Sequence, residues 1–178
     1  MENWESMTLN VSGIVDDSIV DGPGLRYTIF VQGCPHHCPE CHNPQTHSFE
    51  EKELRTLASL MNDIRENPLL YGVTYSGGEP FCQPGPLAAL GEQIKKAGLN
   101  IMCYSGYTYE QLQERAVNEP DVAALLKVVD VLVDGPFIIA QRDLNLLYRG
   151  STNQRLIHLA AMREADDMNK VILWQEQE

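Results

Sequence analysis

Three cysteines lie within one short stretch of the chain, at Cys34, Cys38 and Cys41, with the spacing C-x3-C-x2-C. Thiolate is a soft, charged donor, and three thiolates at this spacing can wrap one small iron-sulfur cluster. A cuboidal cluster of four irons needs four ligands, so three protein thiolates leave one iron open to an outside ligand. The stretch therefore indicates redox chemistry at an open metal position.

The alternative is a structural zinc site in which a nearby histidine completes a tetrahedral set with the three thiolates. The candidate histidines are His36, His37, His42 and His47. Zinc modules usually close their site with a second ligand pair at some distance, and the sequence has no second C-x2-C or H-x3-H pair. Spacing alone favours the cluster and leaves zinc open.

Composition limits the classes of protein to consider. The 178 residues suffice for one core and are short for two, so we expect a single domain over residues 1–178 with a loose terminus at residues 1–7. Five cysteines, an odd number, and the lack of an apolar leader or membrane-spanning run predict a cytoplasmic protein. A formal net charge of -12 argues against nucleic-acid or anionic-membrane partners.

The elements that must position the cysteines alternate between strands and helices. We place strands at residues 8–15, 25–31, 72–76, 100–104, 128–133 and 171–174. The first of these strands is expected at an edge of the sheet. Apolar residues at helical spacing predict four helices between the strands, the first capped by Ser48 with Glu51 and the third by Thr108 with Gln111.

Each unusual loop of the chain follows the end of a predicted strand. These loops hold the cysteines, Gly77 to Glu79, Ser105 to Tyr107, and Asp134 with Gly135. In α/β folds the carboxyl ends of parallel strands gather the active site. A complete eight-unit barrel takes about 250 residues, so we expect an α/β fold that is a partial, laterally open (βα) barrel of about five or six units with a mostly parallel sheet.

Four further motifs accompany the cysteine triad. They are Asp21-Gly22-Pro23-Gly24-Leu25-Arg26, Ser76-Gly77-Gly78-Glu79-Pro80, Val131-Leu132-Val133-Asp134-Gly135 and Arg149-Gly150-Ser151-Thr152-Asn153-Gln154. With the triad and in this order, they span roughly Val11 to Leu159. The chain resembles the radical S-adenosylmethionine superfamily and, within it, the activating proteins of the anaerobic ribonucleoside-triphosphate reductase, which are glycyl-radical-enzyme activases.

The resemblance implies that Cys34, Cys38 and Cys41 hold a 4Fe-4S cluster whose open iron is chelated by the amino and carboxylate groups of S-adenosylmethionine. Glu40 and His42 flank the third thiolate, where the backbone of the family meets the nucleoside. The residues that the resemblance assigns to the cofactor are Glu40, Cys41, His42, Gly77, Gly78, Glu79 and Ser105.

Individual roles around the cofactor also follow from the resemblance. Gly77 and Gly78 would let the backbone approach the methionine amino group, because a side chain there would block it. Glu79 would accept a hydrogen bond from that ammonium or orient the loop, and Ser105 would reach the ribose. The chain departs from many radical enzymes at Glu40, where those enzymes have an aromatic residue against adenine.

The resemblance further implies a reaction and its partners. An external one-electron reductant such as flavodoxin would reduce the cluster, and cleavage of S-adenosylmethionine would yield a 5′-deoxyadenosyl radical. This radical would take a hydrogen atom from a glycine Cα of the anaerobic reductase and leave a glycyl radical. No acid or base is needed, so we assign no catalytic side chain.

Three alternatives to this function stay open. One is an activase for another glycyl-radical enzyme such as pyruvate formate-lyase, although such chains are generally longer. A second is a small radical enzyme that acts on a purine-like metabolite. A third is a non-enzymatic zinc or iron-sulfur protein that mediates contacts or electron transfer.

Overall fold

The computed structural model describes residues 3–176, and within this range seven strands form one sheet with five α-helices. The strands are β1 (Thr8–Ser18), β2 (Arg26–Val31), β3 (Leu54–Thr56), β4 (Gly72–Gly77), β5 (Asn100–Tyr104), β6 (Val131–Asp134) and β7 (Arg155–His158). The helices are α1 (Leu57–Glu66), α2 (Pro84–Lys96), α3 (Tyr109–Ala116), α4 (Pro120–Val128) and α5 (Leu159–Glu164). None of the helices within residues 3–176 has the length and apolar character needed to cross a membrane.

The strand order of the sheet is β3-β1-β2-β4-β5-β6-β7. The four central strands, β2, β4, β5 and β6, run parallel, whereas β1, β3 and β7 pair antiparallel at the two sides. The predicted α/β class with a sheet parallel in its middle is confirmed. Four parallel strands supply fewer than the five or six units predicted, because β1, β3 and β7 pair antiparallel and an antiparallel neighbour needs no crossover helix.

Strand β1 lies between β3 and β2, so the prediction that it forms an edge is wrong. The same pairing explains a second error, the helix cap expected at Ser48 and Glu51. Residues 54–56 pair with residues 8–10 of β1 instead of starting a helix. Helix α1 begins at Leu57, with the Thr56 side chain accepting a hydrogen bond from the Ser59 backbone.

The remaining local predictions have mixed outcomes. The capping box of Thr108 and Gln111 is confirmed at the start of α3. The strand predicted at residues 171–174 is wrong, because this segment makes only an isolated bridge between Leu173 and Ile157. Of the terminus predicted to be loose, Met1 and Glu2 lie outside the described residues.

The rest of that terminus is ordered. Trp4–Ser6 forms a 3-10 turn that the Asn3 side chain caps, and the Trp4 ring packs against the core. The Met7 carbonyl accepts a hydrogen bond of 2.9 Å from the Leu57 backbone at the start of α1. The prediction is therefore wrong for residues 3–7, where a large apolar ring gains burial by packing against the domain.

The two faces of the central sheet have different compositions, since successive side chains of a strand point to opposite faces. One face carries apolar side chains that belong to the main core, with Val73 and Tyr75 on β4 and Ile101 and Cys103 on β5. Helices α1, α2, α3 and α4 contact one another in the order α1-α2-α4-α3 and cover this face. The opposite face carries a small apolar cluster of Met102, Val131 and Val133 beside polar and aromatic residues, among them Arg26, Thr28, Phe30, Thr74, Ser76 and Tyr104.

Arg26 on this opposite face is fully buried and anchors the turn at residues 21–24. Its guanidinium donates hydrogen bonds to Thr74 Oγ1 (2.7 Å), the Val73 carbonyl (2.9 Å) and the Pro23 carbonyl (3.0 Å). Thr74 Oγ1 in turn donates to the Asp21 carbonyl at 2.8 Å. Burial lowers the pKa of Arg26 to about 10, so the side chain stays charged at neutral pH.

The substitution Arg26→Ala is expected to lower the free energy of unfolding by about 2–4 kcal/mol, because it leaves a cavity and removes the donor from three buried hydrogen bonds. Urea denaturation of the purified protein measures this loss. Arg65→Ala on the exposed side of α1 is the matched control and is expected to change the free energy by less than about 0.5 kcal/mol. Equal losses for the two variants would contradict an anchoring role for Arg26.

Candidate functional site

The cysteines lie on a loop, residues 33–43, that leaves the carboxyl end of β2 and is closed by backbone hydrogen bonds. The Gly33 amide donates to the Thr46 carbonyl at 2.7 Å, and the Cys34 amide donates to the His47 carbonyl at 3.2 Å. The Gln32 side-chain amide crosses the base of the loop and donates to the Gln45 and Ser48 carbonyls. The loop therefore starts and ends at fixed points beside the end of β2.

The three thiols of this loop line one cavity of about 140 Å³, which we call the cysteine cavity. Its walls come from the ends of β2, β4, β5 and β6 and are Cys34, His36, Cys38, Cys41, His42, Asn43, His47, Ser76, Gly77, Gly78, Tyr104, Ser105, Gly106, Gly135, Phe137 and Gln154. The structure thus brings together most of the residues expected from the sequence. The exceptions are Glu40, which is exposed outside the cavity, and Glu79, which lies buried behind it.

The donor set of the cysteine cavity fits an iron-sulfur cluster. Cys34, Cys38 and Cys41 are all free thiols, soft donors of the kind that iron-sulfur clusters require. His47 Nε2, also in the cavity wall, is buried and has no hydrogen-bond partner among the described residues. Over residues 3–176, no three His, Cys, Asp or Glu side chains converge on a point that a single metal ion could occupy.

Burial sets the acid-base state of the first thiol. Cys34 is only 8% exposed, and burial, with a smaller contribution from the charge of Glu79, raises the pKa of its thiol to about 11. At neutral pH the metal-free protein therefore keeps this sulfur protonated. Binding of iron at Cys34 must release that proton, because the thiolate is the ligand.

Two glycines at the end of β4 allow that strand to contact the cysteine loop directly. The Gly78 amide donates to the Val31 carbonyl at 2.9 Å, and the Glu79 amide donates to the Gly33 carbonyl at 2.8 Å. A Cβ at Gly78 would lie 2.3 Å from the Gly33 carbonyl oxygen. A Cβ at Gly77, where φ is +96°, would lie 2.5 Å from the Val31 amide nitrogen. These close contacts lie within the protein, between β4 and the cysteine loop, and the approach of this backbone to the methionine amino group stays a prediction.

Glu79 is fully buried and both of its carboxylate oxygens are occupied. It accepts hydrogen bonds from His36 Nε2 at 2.6 Å, from Ser105 Oγ at 2.9 and 3.0 Å, and from the Gly106 and Phe81 amides at 2.8 and 3.0 Å. Of its two expected roles, these contacts support orientation of the loop. The hydroxyl of Ser105 likewise donates to Glu79, although Ser105 lines the cavity.

A second cavity of about 590 Å³, the outer cavity, adjoins the cysteine cavity and shares part of its wall. The residues that line both are His42, Asn43, Ser76, Tyr104, Phe137 and Gln154. The outer cavity is also lined by Val15, Ser18, Val20, Asp21, Phe30, Leu146, Tyr148, Arg149 and Gly150. The sequence analysis did not assign Tyr104 or Phe137 to the site. Both could have been found from their position, because each is an aromatic residue at or just after the carboxyl end of a buried strand.

The polar motif near the end of the chain fastens the outer cavity. Arg149 donates to the Gln154 carbonyl at 2.7 Å, and the Asn153 side chain donates to the Pro136 carbonyl at 2.8 Å. The Gln154 side chain donates to the Gly135 carbonyl at 3.1 Å and accepts from the Gly150 amide at 2.9 Å. This motif therefore holds the loop after β6 against the cavity wall.

An α/β sheet whose parallel strands end at three free thiols around one cavity defines a protein of the iron-sulfur class. Residues 20–157 match the family described as the 4Fe-4S single cluster domain. Similar curated proteins are anaerobic ribonucleoside-triphosphate reductase-activating proteins. That of Escherichia coli is 35% identical over 152 residues, which cover 79% of this chain and 93% of that protein.

Two further relatives carry the same name. The Salmonella typhimurium protein is 37% identical, with 79% of this chain and 93% of that protein covered. The Vibrio cholerae protein is 35% identical, with 79% and 91% covered. The chain belongs to the family of anaerobic ribonucleoside-triphosphate reductase-activating proteins, which confirms the family and the 4Fe-4S cluster expected from the sequence.

One solved structure, that of QueE from Escherichia coli, resembles the chain with a TM-score of 0.46 and 19% identity. The alignment covers 57% of this chain and 53% of that one, a likeness too low to support an argument about fold or function.

The substitution Gly78→Ala is expected to displace the start of the cysteine loop, because its Cβ would lie 2.3 Å from the Gly33 carbonyl oxygen. We expect it to lower the free energy of unfolding by about 1–3 kcal/mol and to speed the reaction of the buried Cys34 thiol with a thiol reagent. Gly13→Ala, whose Cβ would meet nothing within 4 Å, is the matched control. Unchanged thiol reactivity in Gly78→Ala would show that the contact does not hold the loop.

Proposed function

We propose that the chain is a radical S-adenosylmethionine activase, an oxidoreductase that generates a glycyl radical on an anaerobic ribonucleoside-triphosphate reductase. The observation that carries the proposal is the set of three free thiols around one cavity at the carboxyl ends of parallel strands. Membership in a family named for activation of that reductase supports the identity of the protein substrate.

Cys34, Cys38 and Cys41 would hold a 4Fe-4S cluster and leave one iron without a protein thiolate. When bound and reduced, the cluster would supply the single electron that breaks the sulfur-C5′ bond of S-adenosylmethionine. The products would be methionine, 5′-deoxyadenosine and a glycyl radical on the reductase, whose glycine Cα would give its hydrogen atom to C5′. The protein contributes orientation and shielding, so no side chain acts as a general acid or base.

The shape of the two cavities supports a ligand that spans them. The cysteine cavity, at about 140 Å³, is smaller than most small-molecule sites, whereas the outer cavity, at about 590 Å³, is within their usual size. We assign the methionine end to the side of Gly77 and Gly78. The nucleoside end would lie along the backbone of Cys41, with His42 in the wall shared by both cavities and Glu40 at the rim.

Aromatic side chains would keep water from the reacting atoms. Tyr104 and Phe137 stand where the two cavities meet, and the Phe137 ring packs on the His42 ring with 4.9 Å between their centroids. Phe30 adds a third aromatic wall in the outer cavity. Such walls would limit the access of water and dioxygen to the reacting atoms.

The proposal extends to the partners and to the shape of the sheet. An external one-electron reductant such as flavodoxin would reduce the cluster. The four parallel strands would form part of a laterally open (βα) barrel, with helices on one face and both cavities at the other, so that a loop of the reductase can enter from the side. Five free cysteines are consistent with the cytoplasmic location expected from the sequence.

The test is to mix the anaerobically reconstituted, reduced protein and S-adenosylmethionine with the anaerobic ribonucleoside-triphosphate reductase. Electron paramagnetic resonance is expected to show a glycyl doublet on the reductase. Pyruvate formate-lyase in a parallel sample is expected to give no doublet. A doublet on pyruvate formate-lyase alone would replace the proposed substrate with the alternative one.

Cys38→Ala is expected to abolish the doublet and cluster assembly, since only two thiolates remain. Cys82→Ala is the matched control, because Cys82 is exposed and lies outside the cysteine cavity, and it is expected to retain both. A reconstituted protein that stays colourless and holds only zinc would exclude the proposed function.

A further inference from the structure

The cysteine loop makes one side-chain contact with the interior of the domain that the proposed function does not use. His36 lies between Cys34 and Cys38, and its Nε2 is 2.6 Å from Glu79 Oε1. Since a carboxylate accepts hydrogen bonds, His36 Nε2 carries the hydrogen and donates it. Within residues 3–176, this is the only ion pair or hydrogen bond formed between Glu79 and a basic side chain.

The ring of His36 is held on several sides. It is 16% exposed and packs edge-to-face on the Tyr107 ring, with 4.5 Å between the ring centroids. A Cβ at Gly106 would lie 2.4 Å from His36 Cδ2, so the backbone there approaches the imidazole closely. Packing of this kind fixes the ring orientation and hence the direction of the Nε2 hydrogen.

The contact matters because the middle of the cysteine loop has few other attachments. The backbone hydrogen bonds of Gly33 and Cys34 fix the start of the loop. Among the described residues, the His36 bond to Glu79 is the only hydrogen bond that a side chain from residues 35–40 makes. The turn that carries Cys38 therefore depends on this bond for its position against the rest of the site.

Glu79 is a suitable anchor for such a bond. It is fully buried, and the Ser105 hydroxyl and the Gly106 amide, both from the loop after β5, donate to it. The Phe81 amide donates to its other oxygen. A buried carboxylate held by four groups cannot turn without losing several hydrogen bonds, and buried polar groups that lose partners are costly.

We propose that His36 is a positioning residue for the iron-sulfur site. By donating its Nε2 hydrogen to Glu79, His36 holds Cys34 and Cys38 in a fixed position relative to the ends of β4 and β5. The inference rests on the proposed cluster at the three cysteines. It gives His36 a role distinct from ligation, since its ring nitrogen is turned to a carboxylate behind the cavity.

The test uses two amides that reproduce different nitrogens of the imidazole. The amide of His36→Gln can occupy the place of Nε2 and reach Glu79, whereas the shorter amide of His36→Asn occupies the place of Nδ1 and cannot. We measure iron and sulfide per chain after anaerobic reconstitution, and the rate of iron release to a chelator. His36→Asn is expected to release iron about tenfold faster than the wild type, and His36→Gln within about threefold of it.

His37→Asn is the matched control, because His37 is the next residue of the same loop, is exposed, is absent from the cavity wall and has a φ of +48° that asparagine tolerates. It is expected to release iron at the wild-type rate. Hydrogen exchange of the metal-free proteins gives a second readout, with faster exchange over residues 35–40 in His36→Asn than in His36→Gln.

The outcomes separate this inference from the proposed function. If the wild type assembles no iron-sulfur cluster, the proposed function fails and the inference falls with it. If the wild type holds the cluster and His36→Asn releases iron no faster than His36→Gln, the positioning role alone is overturned. Rescue by glutamine and not by asparagine supports it, since a general loss of packing would affect both.

Discussion

The site depends on a direct contact between two stretches of backbone, at the ends of β2 and β4. The Glu79 amide reaches the Gly33 carbonyl at 2.8 Å, and the space between them excludes even a Cβ at Gly78. The last residues of β2 and β4, Val31 and Gly77, are paired, so this contact brings the cysteine loop over the ends of β4 and β5. Gly77 and Gly78 allow the cysteine loop to lie against the end of β4, and the buried carboxylate of Glu79 lies behind the cavity wall. The cavity forms between these parts.

The two faces of the sheet have different compositions and different neighbours. Strands buried on both faces of a parallel sheet usually read as continuous apolar runs. Here the face toward the helices is apolar, whereas the other carries residues such as Arg26, Thr74 and Tyr104. Polar residues on that face form hydrogen bonds with the turn at residues 21–24, and the aromatic residues line the cavities. Alternation along a strand thus gives one sequence both a core and a ligand site.

The sequence was sufficient for what depends on short-range patterns. Strands β2, β4 and β5 and the cap at Thr108 follow from neighbouring residues, and the cysteine spacing indicated the cluster that the family comparison confirms. The errors have long-range causes. Leu54 joins a strand because β1 is there to pair with it. The bond between His36 and Glu79 joins residues 43 positions apart, and no local pattern indicates it.

Two buried charged side chains, Arg26 and Glu79, hold the loops on the cavity side. Among the described residues, Arg26 forms no ion pair, and Glu79 contacts no basic side chain other than the His36 imidazole. Arg26 donates to two carbonyls and a hydroxyl, and Glu79 accepts from two amides, a hydroxyl and an imidazole. An arrangement of these loops that broke these hydrogen bonds would leave a buried charge with fewer partners, which is far less favourable than an unfilled apolar contact. Such groups add little net stability, but they make one loop geometry much lower in free energy than its competitors. A site that must hold three thiols around one cluster depends more on having a single loop geometry than on additional stability.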